Sequence, residues 1–407
     1  MDETIRTRRE KLILSHPGHP ERSRFFTKLA NDLRTWFPQL GRPIKDHEDD
    51  VISCHGKVLT LCPPGYPVRS WSLNNLAVDL HARFQQLGRI EDLEDAMLSH
   101  RKALTLRPPG HPYRPSSLDN LATGLHTRFM QLGRIEDLED AISSHHEALT
   151  LRPPGHPYHS ISLHNLANAL RTRFDKLGQI EDLHKSFIIF EQAANDLSST
   201  SWDRLCATLD WATNSRRYHH GSIISAYSLS FRLLDRCLIS RPTVQLQHKF
   251  LAIAQIPKSL ASDAASAAIN AGELSVAVEL LEQGRAILWS KIEGYRHPLD
   301  QLRQVNSELA DCVESLSVQL EHLALSSNFG LLDSHSPIMP ASLDAQIRNH
   351  RILLEDWEKV AETVRQVEGF GSFLQAVPFA TLQTAAAEGP VILINISDYR
   401  SDQVLMP

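Results

Sequence analysis

Pro63-Pro64-Gly65-Tyr66-Pro67, Pro108-Pro109-Gly110-His111-Pro112 and Pro153-Pro154-Gly155-His156-Pro157 are one motif written three times, 45 residues apart. A fixed period of this size marks a stacked array in which each unit is one supersecondary element. One such unit cannot bury its own apolar face, so neighbours stack and leave a long surface for a partner. Between the motifs, Leu73, Leu76, Ala77, Leu80, Phe84 and Leu87 fall on one face of a helix. The same face returns as Leu118, Leu121, Ala122, Leu125, Phe129 and Leu132, and again as Leu163, Leu166, Ala167, Leu170, Phe174 and Leu177. Gly88, Gly133 and Gly178 follow as left-handed helix ends. A second helix opens each time on Glu91-Asp92, Glu136-Asp137 or Glu181-Asp182, acidic pairs suited to the positive end of the helix dipole. The Pro-Pro-Gly run stops it. Ala77, Ala96 and Ala103, recurring as Ala122, Ala141 and Ala148, predict close approach of the two helices.

A degenerate earlier unit starts near Pro17-Gly18-His19-Pro20, with two extra residues near Pro43 to Glu48. Beyond about Asn195 the period fades while the helical pattern persists: 202–214 and 222–237 read as a pair, and 244–255, 258–271 and 274–293 as three more helices. Leu299 to Leu325 reads as one long amphipathic helix, 326–341 as a loop and 343–367 as helix. Gly389-Pro390 then precedes Val391-Ile392-Leu393-Ile394-Asn395-Ile396-Ser397, the one run that reads as a strand. A lone strand would leave its backbone groups unpaired and sticky.

The chain has 407 residues, 42% hydrophobic and 22% charged, with a formal charge of −6. These are values of a folded chain with no basic patch for nucleic acid. Five scattered cysteines without a Cys-x-x-Cys pair fit free thiols better than a disulfide frame or a zinc site. The charged first dozen residues fit no secretory signal and the apolar stretches are too short for a membrane span, so a cytoplasmic protein is expected.

Among 21 histidines, His55, His100 and His145 recur at the period, with Phe190 at the next equivalent position. A slot that takes His or Phe is filled by a flat ring for packing, not ligation, and no metal or other cofactor is expected. Neither a P-loop, a Gly-x-Ser-x-Gly elbow nor a His-Glu-x-x-His helix occurs. Two ladders remain: Asn75, Asn120 and Asn165, and Arg83, Arg128 and Arg173, each at one first-helix position. The asparagines could bond an extended peptide backbone in a groove or bond between repeats. The arginines could hold acidic side chains of a ligand, stay solvated, or pair with the acidic starts of the second helices. In the first unit Lys28 and Trp36 stand at the matching positions.

The unit with Leu73-Asn74-Asn75-Leu76-Ala77, a terminating Gly, an Ala in helix two and a closing Pro resembles the tetratricopeptide repeat (TPR), most closely the long repeats of kinesin light chain. That resemblance implies an asparagine ladder lining a concave peptide groove. The stretch Ala277-Val278-Glu279-Leu280-Leu281-Glu282-Gln283-Gly284-Arg285, with Leu288-Trp289-Ser290, Pro298-Leu299-Asp300 and Gly389-Pro390-Val391-Ile392, resembles the fungal TPR–CHAT proteins, where such repeats precede a caspase-like CHAT domain. The resemblance implies an all-α, right-handed TPR-like solenoid over 1–195, degenerate helical repeats over 196–295, a helical spacer over 296–388 and the first strand region of a CHAT domain over 389–407. No cysteine follows Cys312 and no histidine follows His350, so the family's catalytic pair has no counterpart and no enzyme activity is expected. The implied function is that of a sensor half truncated at the start of its effector, binding a protein or peptide ligand on a concave surface. The alternatives are an inactive fragment of a CHAT cysteine protease and a self-associating structural solenoid. Nothing in the sequence sets the oligomeric state.

Overall fold

The structure, a computed structural model, describes residues 6–7, 10–12, 22–39, 48–62, 67–239, 247, 250–252, 254, 256–292, 298–329, 340–373 and 377–406. The earliest Pro-Gly motif (17–20), the 63–66 part of the next, residues 330–339 of the expected loop and most of 244–255 lie outside these residues. Helices α1 (Arg22–Gln39) and α2 (Glu48–Leu61), α3 (Pro67–Leu87) and α4 (Ile90–Thr105), α5 (Arg114–Leu132) and α6 (Ile135–Thr150), and α7 (His159–Leu177) and α8 (Ile180–Asn195) follow the repeat. Then come α9 (Ser201–Arg217), α10 (Ile223–Ile239), α11 (Leu260–Asn270), α12 (Leu274–Ile292), α13 (Pro298–Val305), α14 (Ser307–Phe329), α15 (Pro340–Arg365), α16 (Phe379–Leu382), and strands β1 (Val391–Ile396) and β2 (Ser401–Met406). The fold is all-α with one small sheet, and consecutive helices pack in pairs as in a TPR-like solenoid. Two compact units divide the chain: residues 1–153 with 168–182, and residues 154–167 with 183–407.

In the first unit the repeat dictates the hairpins. Gly88, Gly133 and Gly178 take φ of 68°, 69° and 69°, which L side chains rarely adopt. Their N–H groups close on the carbonyls of Phe84, Phe129 and Phe174. Residues Arg89 and Arg134 then swing into extended backbone, and the next helix starts one residue later. The two-residue link leaves paired helices no choice but to lie side by side. Leu118, Leu121, Leu125 and Phe129 are buried, as are the alanines Ala77, Ala96, Ala103, Ala122, Ala141 and Ala148. Leu121 packs with Met97, Ala122, Leu125 and Ala141.

In the second unit, Thr200 caps α9 by accepting a hydrogen bond from the Asp203 N–H at 3.1 Å. Helices α11 and α12 touch where Gly284 faces Ala261. The stretch expected as one helix from 299 to 325 is two. Asn306 breaks it, because its side-chain oxygen accepts from the Leu309 N–H at 3.0 Å and so starts α14 anew. Leu299, Leu302, Val313, Trp357, Ala361, Val364 and Phe373 form the core there.

The strand at 391–396 is not alone. It pairs antiparallel with β2, in the register Val391↔Met406 to Ile396↔Ser401. The sequence of β2, Ser-Asp-Gln-Val-Leu-Met, has no β-branched run, so its state is set by the partner and by the turn. There Ser397 Oγ accepts from the Tyr399 and Arg400 N–H groups. The inner face of the hairpin, with Val391, Leu393 and Val404, packs on Ile269, Val278, Phe379, Leu382 and Ala386. Asn395 donates to the Ser262 carbonyl and to Ser266 Oγ.

Candidate interaction face of the repeats

Three lateral hydrogen bonds join successive first helices of the first unit, each spanning 46 residues, one more than the repeat. Asn120 Nδ2 donates to Asn74 Oδ1 at 3.2 Å, Thr127 Oγ1 meets His81 Nε2 at 3.3 Å, and His126 Nε2 meets Thr172 Oγ1 at 3.0 Å. A ladder position therefore bonds the preceding repeat's neighbouring position. The second unit repeats the device between His164 Nε2 and Asp210 Oδ2, at 2.7 Å. Asp210 lies one period after Asn165, so the asparagine ladder ends in an aspartate. Asn75 is buried, whereas Asn120 and Asn165 are half-buried.

The arginine ladder sits beside it, with each guanidinium held by carboxylates. Arg83 forks onto Asp92 at 2.8 and 2.6 Å, Arg128 onto Asp137 at 2.8 and 2.5 Å, and Arg173 onto Asp182 at 2.7 and 2.8 Å. A second arm crosses to the preceding repeat: Arg128 reaches Glu94 at 2.9 Å and Arg173 reaches Glu139 at 2.7 Å. The hydrogen bonds that Arg173 donates to Asp182 are the main reason its pKa is raised. The first-turn aspartates thus anchor the neighbouring helix, and neither Arg89 nor Arg134 at the N-cap of α4 and α6 supplies a side-chain cap.

Beneath these ladders runs a buried polar layer. His55 meets Asp79 at 3.3 Å, and His145 Nδ1 meets Asp119 Oδ1 at 2.9 Å. Arg152 donates to the other oxygen of Asp119 and to Ser116 Oγ. One repeat earlier, Arg107 donates to Ser117 Oγ at 2.7 Å, to the carbonyls of Tyr113 and Ser70 at 3.3 Å, and to Ser70 Oγ. Burial pushes the Arg107 pKa down to about 10. The recurring rings at 55, 100 and 145 are buried, like Phe190, and two of the three also bind a carboxylate. Among the described residues no three His, Cys, Asp or Glu side chains gather as a metal site.

His100 is 1% exposed, and burial, with His81 and Arg107 nearby, pushes its pKa down to about 3. Burial, then His145 and Arg171, lowers that of His126 to about 4, and burial lowers that of His81. All three imidazoles are neutral near pH 7.

The lateral bonds His81–Thr127 and His126–Thr172 were not singled out by the sequence reading, nor was Asp210. Their signal is a spacing of period plus one between polar residues on first helices. Arg107 and Arg152 announce themselves only as the residue before each Pro-Pro.

Residues 69–113, spanning α3 and α4, match the family described as tetratricopeptide repeat. No curated protein matches the chain. Repeats of this family serve as protein-binding scaffolds. No helix among the described residues is long and apolar enough to cross a membrane.

Proposed function

We propose that this chain is a protein-binding scaffold of TPR type, the recognition half of a TPR–CHAT-like protein of fungal, cytoplasmic character, with no catalytic centre of its own. The observation that carries it is the recurrence of one helical hairpin, matched to the tetratricopeptide family over 69–113, with a row of hydrogen-bonding side chains along its first helices. A protein or peptide ligand lies across that row on the concave side, with Asn75 and Asn120 beneath it. Arg83, Arg128 and Arg173 act mainly by fixing the repeat geometry, since their forks are taken by Asp92, Asp137 and Asp182. The terminal hairpin supports the CHAT relationship, because it offers the strand that such a domain would open with.

A pull-down from a native extract, quantified by mass spectrometry, tests this. A partner held by the intact chain should be weakened several-fold by Asn120→Ala with circular dichroism unchanged. Equal capture by both forms removes the ladder from the site, and failure to retain any protein removes the scaffold reading.

A further inference from the structure

We propose that the segment held across α3 and α5 is an uncharged, extended polypeptide stretch read through amide and hydroxyl hydrogen bonds, an inference that rests on the scaffold reading above. The two helix types of the first unit differ sharply in surface charge. Exposed side chains on α4 include Glu91, Glu94, Asp95, Arg101 and Lys102, and on α6 Glu136, Glu139, Asp140 and Glu147. The Asp and Arg residues of α3 and α5 are all buried or half-buried. Their exposed positions hold Gln85, Gln86, Thr123, Met130 and Gln131.

The ionic groups these two helices do contain are already matched. Asp79 faces His55, and Asp119 holds His145 and Arg152. Arg83 and Arg128 are forked by aspartates, Arg69 donates to the carbonyls of Leu59 and Cys62, and Arg114 binds Glu147. The imidazoles of His81 and His126 are held neutral by burial and each bonds a threonine. Charge returns on α7, where Arg171 pairs with Asp175 at 2.7 Å. Among the described residues the neutral strip is traced on α3 and α5.

A ligand charge laid on such a strip loses water and gains no opposite charge, which is costly. An amide or hydroxyl gains partners of its own kind from Asn, Gln and Thr. Selectivity therefore comes from rejecting charge, and the binding is insensitive to salt because no ion pair forms on contact.

The test uses the full chain and a displayed library of random twelve-residue peptides. The expected result is enrichment of peptides with no net charge. Their affinity should change less than about twofold between about 50 and about 500 mM NaCl. It should drop about tenfold with Met130→Glu, a residue 58% exposed whose replacement leaves the core untouched. Enrichment of acidic or basic peptides, with affinity collapsing in salt, overturns the neutral-strip inference while leaving the scaffold standing. Neutral peptides indifferent to Met130→Glu and to Thr123→Lys also overturn it, by placing their site elsewhere. If no peptide of any charge is enriched, the scaffold reading falls and takes this inference with it.

Discussion

Arg128 illustrates how one side chain fixes two neighbours. Its fork holds Asp137 of its own repeat, and its remaining arm reaches Glu94 of the repeat before. Arg128→Ala leaves a buried carboxylate without its cation, and denaturant unfolding should show a loss of about 3 kcal/mol. The Glu94 arm, half in water, adds less than about 1 kcal/mol to that. Arg128→Lys should recover less than half, because an ammonium cannot span both carboxylate oxygens. The histidines give a pH dependence with a definite sign. His81, His100 and His126 have folded pKa values below that of the unfolded chain. Between about pH 6.5 and the folded value the unfolded state binds the extra proton, so stability is full above about 6.5 and is lost as pH falls toward about 3 for His100 and about 4 for His126. Each group can steepen the slope by up to about 1.4 kcal/mol per pH unit. His100→Phe, the residue type that fills the equivalent slot at 190, should flatten the profile between pH 6.5 and 4 in urea titrations. An unchanged slope would mean that His100 takes up its proton inside the fold. That the rings at 55, 100 and 145 are buried was legible from the exchange of His for Phe at the period. That two of them reach aspartates was not, because Asp79 and Asp119 lie 24 and 26 residues from their partners, a distance no local pattern encodes.

At the scale of the element, the packing of α11 on α12 depends on the absence of one atom. A Cβ at Gly284 would sit 2.1 Å from Ala261 Cβ. Helix propensity favours Gly284→Ala by about 1 kcal/mol, yet the clash should reverse the sign and cost about 2 kcal/mol net, read as a lower thermal midpoint. Ala261→Gly in the same chain should restore most of the loss, since the next atoms lie 3.3 and 3.6 Å away. If the double variant is no better than the single one, the contact is misplaced. Element boundaries followed the sequence closely where cap chemistry repeats, as at Gly88 and Gly133, whose positive φ ends each helix. Two elements escaped. Asn306 reads as an unremarkable polar residue within an amphipathic run, and only its bond to Leu309 shows it to be a start signal. Strand β2 carries little intrinsic preference and becomes a strand because β1 offers it a ladder.

For the molecule as a whole, an array of hairpins responds to damage locally. Leu121→Asp forces a charge into the cluster of Met97, Ala122, Leu125 and Ala141, at a cost of roughly 4 kcal/mol or more. Because each repeat leans on its neighbours, amide hydrogen exchange should speed up across 67–150 while the hairpin at 391–406 keeps its protection, held by its own contacts to Ser262, Ser266 and Val278. Uniform loss of protection over both regions would show a cooperativity that nearest-neighbour stacking does not provide.

The sequence alone determined the helical hairpin, its period, its buried face and its glycine ends, since each follows from short-range spacing that any folded copy of the unit must satisfy. Tertiary structure decided what the polar residues do. Asn120, His81, Arg128 and Asp119 each find partners a repeat or part of a repeat away, so whether a ladder residue faces a neighbour, a carboxylate or open water depends on how successive hairpins lie against each other. That placement is a property of packed surfaces, and it joins the arginines of the ladder to carboxylates of their own and the preceding repeat.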